Sequence, residues 1–177
     1  MARFHITKTK DPTPYTSELE RFWQENLPDT APARLKWMME GNPAGSATWF
    51  LAFDETKGTL AGTISVMPKN LFINGRPTRC GIIGDLMVDK RYRVFGPAVL
   101  LPKAVVGNAS ALGMEYLYTM PNKSSAKILE RCSFKRQVSY ESFVRPVHLT
   151  SYFGKYLNLS PGVTRIFSLI ENFFTAS

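Results

Sequence analysis

The 177-residue sequence predicts an α+β domain with a mixed, mostly antiparallel sheet and flanking helices. Three observations carry the prediction. Short apolar runs separated by turn residues fill positions 48–88. Helical periodicity appears before them, at 17–40, and after them, at 97–112. A strand over 82–88, followed by that second helix and another apolar run at 116–120, makes a parallel pair.

In chain order, residues 3–8 form a first strand, broken by Asp11-Pro12-Thr13-Pro14. Ser17-Glu18-Leu19-Glu20 has the form of a capping box with Ser17 as cap. Leu19, Phe22, Trp23 and Leu27 then share one helical face, and Pro28 ends the helix. A second helix over 33–40 buries Leu35, Met38 and Met39 and stops at Gly41. Strands follow at 48–53, 59–67, 70–73 and 78–83, leading into 82–88. Asn74-Gly75 marks a hairpin because both residues tolerate positive φ, and Pro77 calls for an edge or an irregularity. The helix over 97–112 contains Pro102 and ends at Gly113. A helix over 124–131 and a strand over 137–144 close a domain spanning 1–145. Residues 146–177 form a helical extension, at 150–157 and 163–174, whose apolar last segment packs on the domain or on a second subunit.

Composition is that of an ordinary globular chain, with 44% hydrophobic and 20% charged residues. The net charge of +8 points to an anionic partner. Nucleic acid ranks behind a smaller anion, because the 22 Lys and Arg form no dense run and no nucleic-acid module is present. Cys80 and Cys132 make no disulfide framework, and His5 and His148 are too scattered for a metal site. The N-terminus lacks an apolar signal core and no segment reaches membrane-spanning length, so the expectation is a cytoplasmic protein.

Chemistry concentrates in residues 84–101, GDLMVDKRYRVFGPAVLL. The run Leu86-Met87-Val88 reads as a buried strand, and Lys90, Arg91 and Arg93 form a basic loop. Gly96-Pro97-Ala98 opens a helix whose unpaired N–H groups suit an anion. Arg93-Val94-Phe95-Gly96-Pro97-Ala98 fits Arg/Gln-x-x-Gly-x-Gly/Ala, and Thr119-Met120-Pro121-Asn122-Lys123-Ser124-Ser125 begins another helix about 25 residues downstream. Together these segments resemble the GNAT superfamily of N-acetyltransferases, over most of 48–144, and further an uncharacterised bacterial subgroup of it.

That resemblance implies a splayed parallel strand pair with acetyl-CoA as acyl donor in the gap, and an amine of a small molecule or peptide as acceptor. Arg93, Val94, Phe95, Gly96 and Ala98 would take the pyrophosphate. Backbone groups around Met87 and Val88 would meet the thioester carbonyl, and Asn122 and Ser125 the pantetheine arm. Asn122 or Ser124 also serves as a plain helix cap. Asp85, on the strand face opposite Leu86 and Val88, matches an acidic position that some polyamine-acetylating members use. It is either the catalytic base or ammonium anchor, or a structural ion-pair partner of Arg79, Lys90 or Arg91. Two positions depart from the superfamily pattern. Ser133-Phe134 replaces the usual Gly-Phe, and Leu129 stands where many members carry an acid tyrosine. The second departure keeps a non-catalytic coenzyme-binding or protein-interaction module as the alternative.

Overall fold

The computed structural model describes residues 3–28, 33–93 and 96–138. The chain divides into two compact units, Met1–Arg136 and Gln137–Ser177. Apart from Gln137 and Val138 the second lies outside the described residues, as do most of the expected strand over 137–144 and the helices beyond it.

The first unit is a five-stranded sheet in the order β1-β2-β3-β4-β5. These strands are β1 (Phe4–Thr9), β2 (Thr48–Asp54), β3 (Thr59–Ile73), β4 (Arg76–Val88) and β5 (Tyr116–Tyr118). The first four pair antiparallel and β4 pairs parallel with β5. Helices α1 (Thr16–Asn26) and α2 (Arg34–Lys36), the latter running into a π-helical segment Trp37–Gly41, precede β2. Helix α3 (Pro97–Asn108) connects β4 to β5, and α4 (Lys123–Glu130) follows.

Strand alternation divides the core in two. Trp49, Leu51, Met67 and Met87 face Leu19, Phe22 and Trp23 of α1 and Met38. Phe50, Ala52, Ile64, Val66 and Ile83 face Leu101 and Val105 of α3. The sheet therefore lies between the N-terminal helices and α3.

Several local expectations need correction. Ser17 does not cap α1: the N-cap position is Tyr15, and the Ser17 hydroxyl donates to Glu18 Oε2 at 2.8 Å. Leu27 falls just past the helix and is 41% exposed, so it leaves the buried face. The expected strands 59–67 and 70–73 are one strand, and so are 78–83 and 82–88. Pro68 does not interrupt β3 because β2 pairs only as far as Val66. Beyond it that edge of β3 has no strand neighbour among the described residues, and the Pro68 carbonyl accepts from Asn42 Nδ2 instead. Asn74 (φ 51°) and Gly75 (φ 78°) make the hairpin turn.

Ser133 adopts φ 69° after α4, and the Phe134 N–H donates to Leu129 O at 3.2 Å. The left-handed helix stop is kept without glycine, at a steric cost to serine. Ser133→Gly should raise stability by about 0.5–1 kcal/mol and the melting midpoint by about 1–4 °C. A thermal melt of the variant checks this, and an unchanged or lower midpoint would refute it.

At the C-terminal end of β2, Asp54 is buried and accepts from Thr56 Oγ1 at 2.6 Å, Thr56 N–H at 2.9 Å and Tyr92 OH at 2.8 Å. The Thr56 hydroxyl first, and Tyr92 second, lower its pKa to about 2 from 3.8. A carboxyl so lowered contributes stability that is complete above the unfolded value and lost as pH falls through the folded one. Denaturant midpoints should therefore drop between about pH 4 and pH 2. In Thr56→Ala, whose folded pKa lies nearer the unfolded one, the drop over that window should be smaller. An equal drop in both proteins would remove Asp54 from the acid limb.

Candidate active site

Strands β4 and β5 stay together only over Cys80↔Tyr116, Gly81↔Leu117 and Ile82↔Tyr118. Beyond Ile82, β4 continues to Val88 with no partner on its β5 side among the described residues. Its other edge remains paired to β3, through a bulge. Thr63 aligns with Met87 and Ser65 with Gly84, so Asp85 and Leu86 share the place opposite Ile64. Asp85 takes up the extra residue at φ 50°.

Alternation then fixes which amides face the gap. The Asp89 N–H donates to Ala61 O at 2.9 Å, so the narrow pairing falls on Ala61–Asp89 and Thr63–Met87. Met87 thereby directs its N–H toward β3, while Val88 directs both N–H and C=O away from it. The Val88 carbonyl meets Arg93 Nε at 3.4 Å, on that outward side.

A 3-10 turn, Lys90–Tyr92, carries the chain from β4 toward α3. Gly96 caps α3 at φ 104°, and no atom lies within 4 Å of where its Cβ would be. The Val99 and Leu100 N–H groups donate to Gly96 O, both at 2.9 Å. Pro97 has no N–H, so Ala98 supplies the unpaired amide of the first turn. The loop's charge is smaller than its composition suggests. Arg91 is bound to Asp89, at 2.7 Å and 3.0 Å, and holds that carboxyl well below the usual range. Arg93, which also donates to Asn26 Oδ1 at 3.1 Å, is the arginine left to this turn. Val94 and Phe95 lie outside the described residues.

Across the gap, Asn122 caps α4. Its Oδ1 accepts from the Ser124 N–H at 3.1 Å and from the Ser125 N–H and hydroxyl, both at 2.9 Å. That engages the Asn122 oxygen and leaves its amide nitrogen as the donor for a ligand.

Asp85 points to the face of the N-terminal helices. Arg34 Nη2 of α2 lies 2.9 Å and 3.0 Å from its two oxygens, and Ser65 Oγ donates at 3.0 Å. Its side chain is 3% exposed against 32% for that of Arg34. The ion-pair partner is thus Arg34, not Arg79, Lys90 or Arg91. Sequence reasoning missed Arg34 because nothing in an isolated α2 shows that it lies over β4. Ser65 left a fainter signal, as a polar residue alternating with Ile64 and Val66. On this same face the buried Thr63 Oγ1, Trp49 Nε1 and Arg34 Nε have no hydrogen-bond partner among the described residues.

Leu129 is 4% exposed in the core and carries no proton to give. The Cys132 thiol contacts Val99 O at 3.6 Å, and burial raises its pKa and that of Cys80. Burial likewise raises Tyr118. Among the described residues no group of His, Cys, Asp and Glu is arranged to hold a metal ion.

Residues 13–134 match the acetyltransferase (GNAT) family model, and the chain belongs to that family. No curated protein matches it by sequence. Among solved structures it is similar to glucosamine-6-phosphate N-acetyltransferase from Arabidopsis thaliana, at 18% identity and TM-score 0.62 over 80% of this chain and 98% of that one. An acetyltransferase from Trypanosoma brucei matches at 17% identity and TM-score 0.61, over 81% and 100% of the two chains. One from Clostridium acetobutylicum, solved with acetyl-CoA, matches at 10% identity and TM-score 0.59, over 80% and 96%. The fold is that of these enzymes, with its mostly antiparallel sheet and single parallel pair.

Proposed function

We propose that the protein is an N-acyltransferase that moves the acetyl group of acetyl-CoA to a primary amine by direct attack. The observation that carries this reading is the parting of β4 from β5 beside the first turn of α3, which leaves the outward Val88 N–H without a partner among the described residues. Val88 is the donor to the thioester carbonyl, with Met87 beneath it as packing. Arg93, Gly96 and Ala98, with Val94 and Phe95 between them, receive the pyrophosphate. Asn122 through its amide nitrogen, and Ser125 beside it, meet the pantetheine arm.

In the reaction the amine nitrogen forms a bond to the thioester carbon, the C–S bond breaks, and coenzyme A leaves as thiolate. Asp85 takes the proton lost by the attacking nitrogen. Leu129 supplies none, so the thiolate takes its proton from water, and Asp85 releases the amine proton to solvent, which restores the base and balances the hydroxide. The closed Asp85–Arg34 contact means that the incoming amine displaces Ser65 or Arg34 from one carboxylate oxygen. The acceptor is an amine of a small molecule or a peptide. A cytoplasmic location is in keeping with helices among which none described is long and apolar enough to cross a membrane. The apolar segment 163–174 is the proposed contact of a homodimer, on its composition alone.

Buried Leu129 favours one second reading, a module that binds coenzyme A or a protein partner without transfer. Thermal melting separates the cases in order. Saturating acetyl-CoA, at about 100 times its dissociation constant, should stabilise by about 2.7 kcal/mol and raise the midpoint by several degrees. Arg93→Glu should abolish that rise. No rise with folded protein would overturn the coenzyme site. A rise without coenzyme A release over a broad amine panel would leave the non-catalytic module.

A further inference from the structure

At the end of the sheet remote from the first turn of α3 lies a cleft of about 280 Å³, lined among others by Lys8, Lys10, Thr48, Pro68, Arg79 and Met114. The pleat brings its side chains to one face. Lys8 aligns with Phe50, Thr48 with Val66, and Arg79 with Asn70. Phe50 and Val66 belong to the core beneath α3. Counting by twos along each strand carries that same face to Thr48, Pro68 and Arg79, and Lys10 joins the cleft from the bend just past β1. The Arg79 guanidinium reaches over β3 to the turn before β2. A Cβ on Gly45 would lie 3.8 Å from its Nη2 and 3.7 Å from Pro68 Cγ. Cations from β1, from the bend after it and from β4 therefore line one cleft.

Among the described residues no carboxylate lines this cleft. The C-terminal end of α3 accounts for Lys8, whose Nζ donates to Asn108 Oδ1 at 3.0 Å where the helix favours positive charge. It does not account for Lys10 or Arg79. Neither has an ion-pair partner among the described residues, and nearby Glu115 is held by Arg76 at 2.7 Å. Two uncompensated cations, a third beside them and the Thr48 hydroxyl make a donor set suited to an oxyanion with several charged oxygens. A lone carboxylate would leave donors unused, and a neutral ligand would leave the charge unanswered.

We infer that this cleft is a second binding site, for a phosphate-bearing small molecule. Five residues of β4 lie between Arg79 and Asp85, about 20 Å of strand, so one small ligand does not span both places.

Isothermal calorimetry with pyrophosphate on the full chain tests the inference. Arg79→Gln and Lys10→Gln should each weaken pyrophosphate binding at this site at least about tenfold, close to one good charge-assisted contact. Arg79→Lys should restore most of it. Arg93→Gln at the coenzyme turn, and Lys103→Gln on exposed α3 surface with the same change in net charge, should leave it in place. Arg79 and Lys10 are exposed, and a melt of each variant without ligand establishes that it folds. Absence of pyrophosphate binding would overturn the site. So would binding that Arg79→Gln and Lys10→Gln leave within twofold, or that only Arg93→Gln removes.

Discussion

Asp85→Asn should lower turnover of acetyl-CoA with its amine acceptor about a hundredfold or more, the range expected when a positioned base is lost. The variant keeps the size of the side chain and one hydrogen-bond acceptor for Arg34 and Ser65. Binding of acetyl-CoA should therefore match the parent, because the proposed coenzyme contacts are Val88, the Gly96 turn and Asn122 rather than Asp85. Some stability is lost with the charge. Truncating a fully buried pair costs about 3–5 kcal/mol, but Arg34 is a third exposed and water replaces part of the contact, so about 1–2 kcal/mol is expected. Single-turnover rates and acetyl-CoA binding, measured on the same preparation, separate the two effects. Unchanged turnover would reduce Asp85 to a structural partner of Arg34.

Gly81→Ala should be the most damaging of the small substitutions. A Cβ there would lie 2.7 Å from Val66 Cγ1 and 2.8 Å from Leu117 Cδ2, and against Met114 Sδ. Gly81 sits in the middle of the short β4–β5 pairing, so its missing side chain is what lets β5 approach before the strands part. Overpacking of this kind costs about 3 kcal/mol, or about 6–12 °C in melting midpoint for a chain of this length. Coenzyme affinity should fall with it, since the gap opens from this point. A loss below about 1 kcal/mol would show that the Met114 thioether and Leu117 move aside easily.

Much of the fold was legible because the local signals agree with it. The Asn74-Gly75 turn, the alternating strands and the Gly113 stop each follow from backbone chemistry within a few residues. Asp85 shows where that reach ends. Counted back from Val88, simple alternation places it with the N-terminal helices, as found. Counted forward from Ile83, it places Asp85 under α3, which is wrong. The two counts disagree because the bulge inserts a residue between Ser65 and Thr63 of the partner strand. Ile83 and Leu86, three apart yet facing the same core, were the available sign of it. Arg34 was illegible for a different reason: its contact joins positions 51 residues apart, and only the packed sheet decides which basic residue arrives there. The capping box failed because the Ser17 hydroxyl found a closer partner in the adjacent Glu18.

The length of the β3–β4 hairpin gives its tip authority over a distant place. From Asn74-Gly75 the ladder runs unbroken in sense to Gly62↔Val88, thirteen residues along β4 and about 40 Å away. Side chains repeat every second residue, so a one-residue slip at the tip would be inherited by every rung below it. Val88 would then turn its N–H toward β3, and Asp85 would leave Arg34 and Ser65. Two small residues at the far end of the molecule thus act as the reference mark from which the chemistry's orientation is measured, and the bulge is the single correction applied along the way.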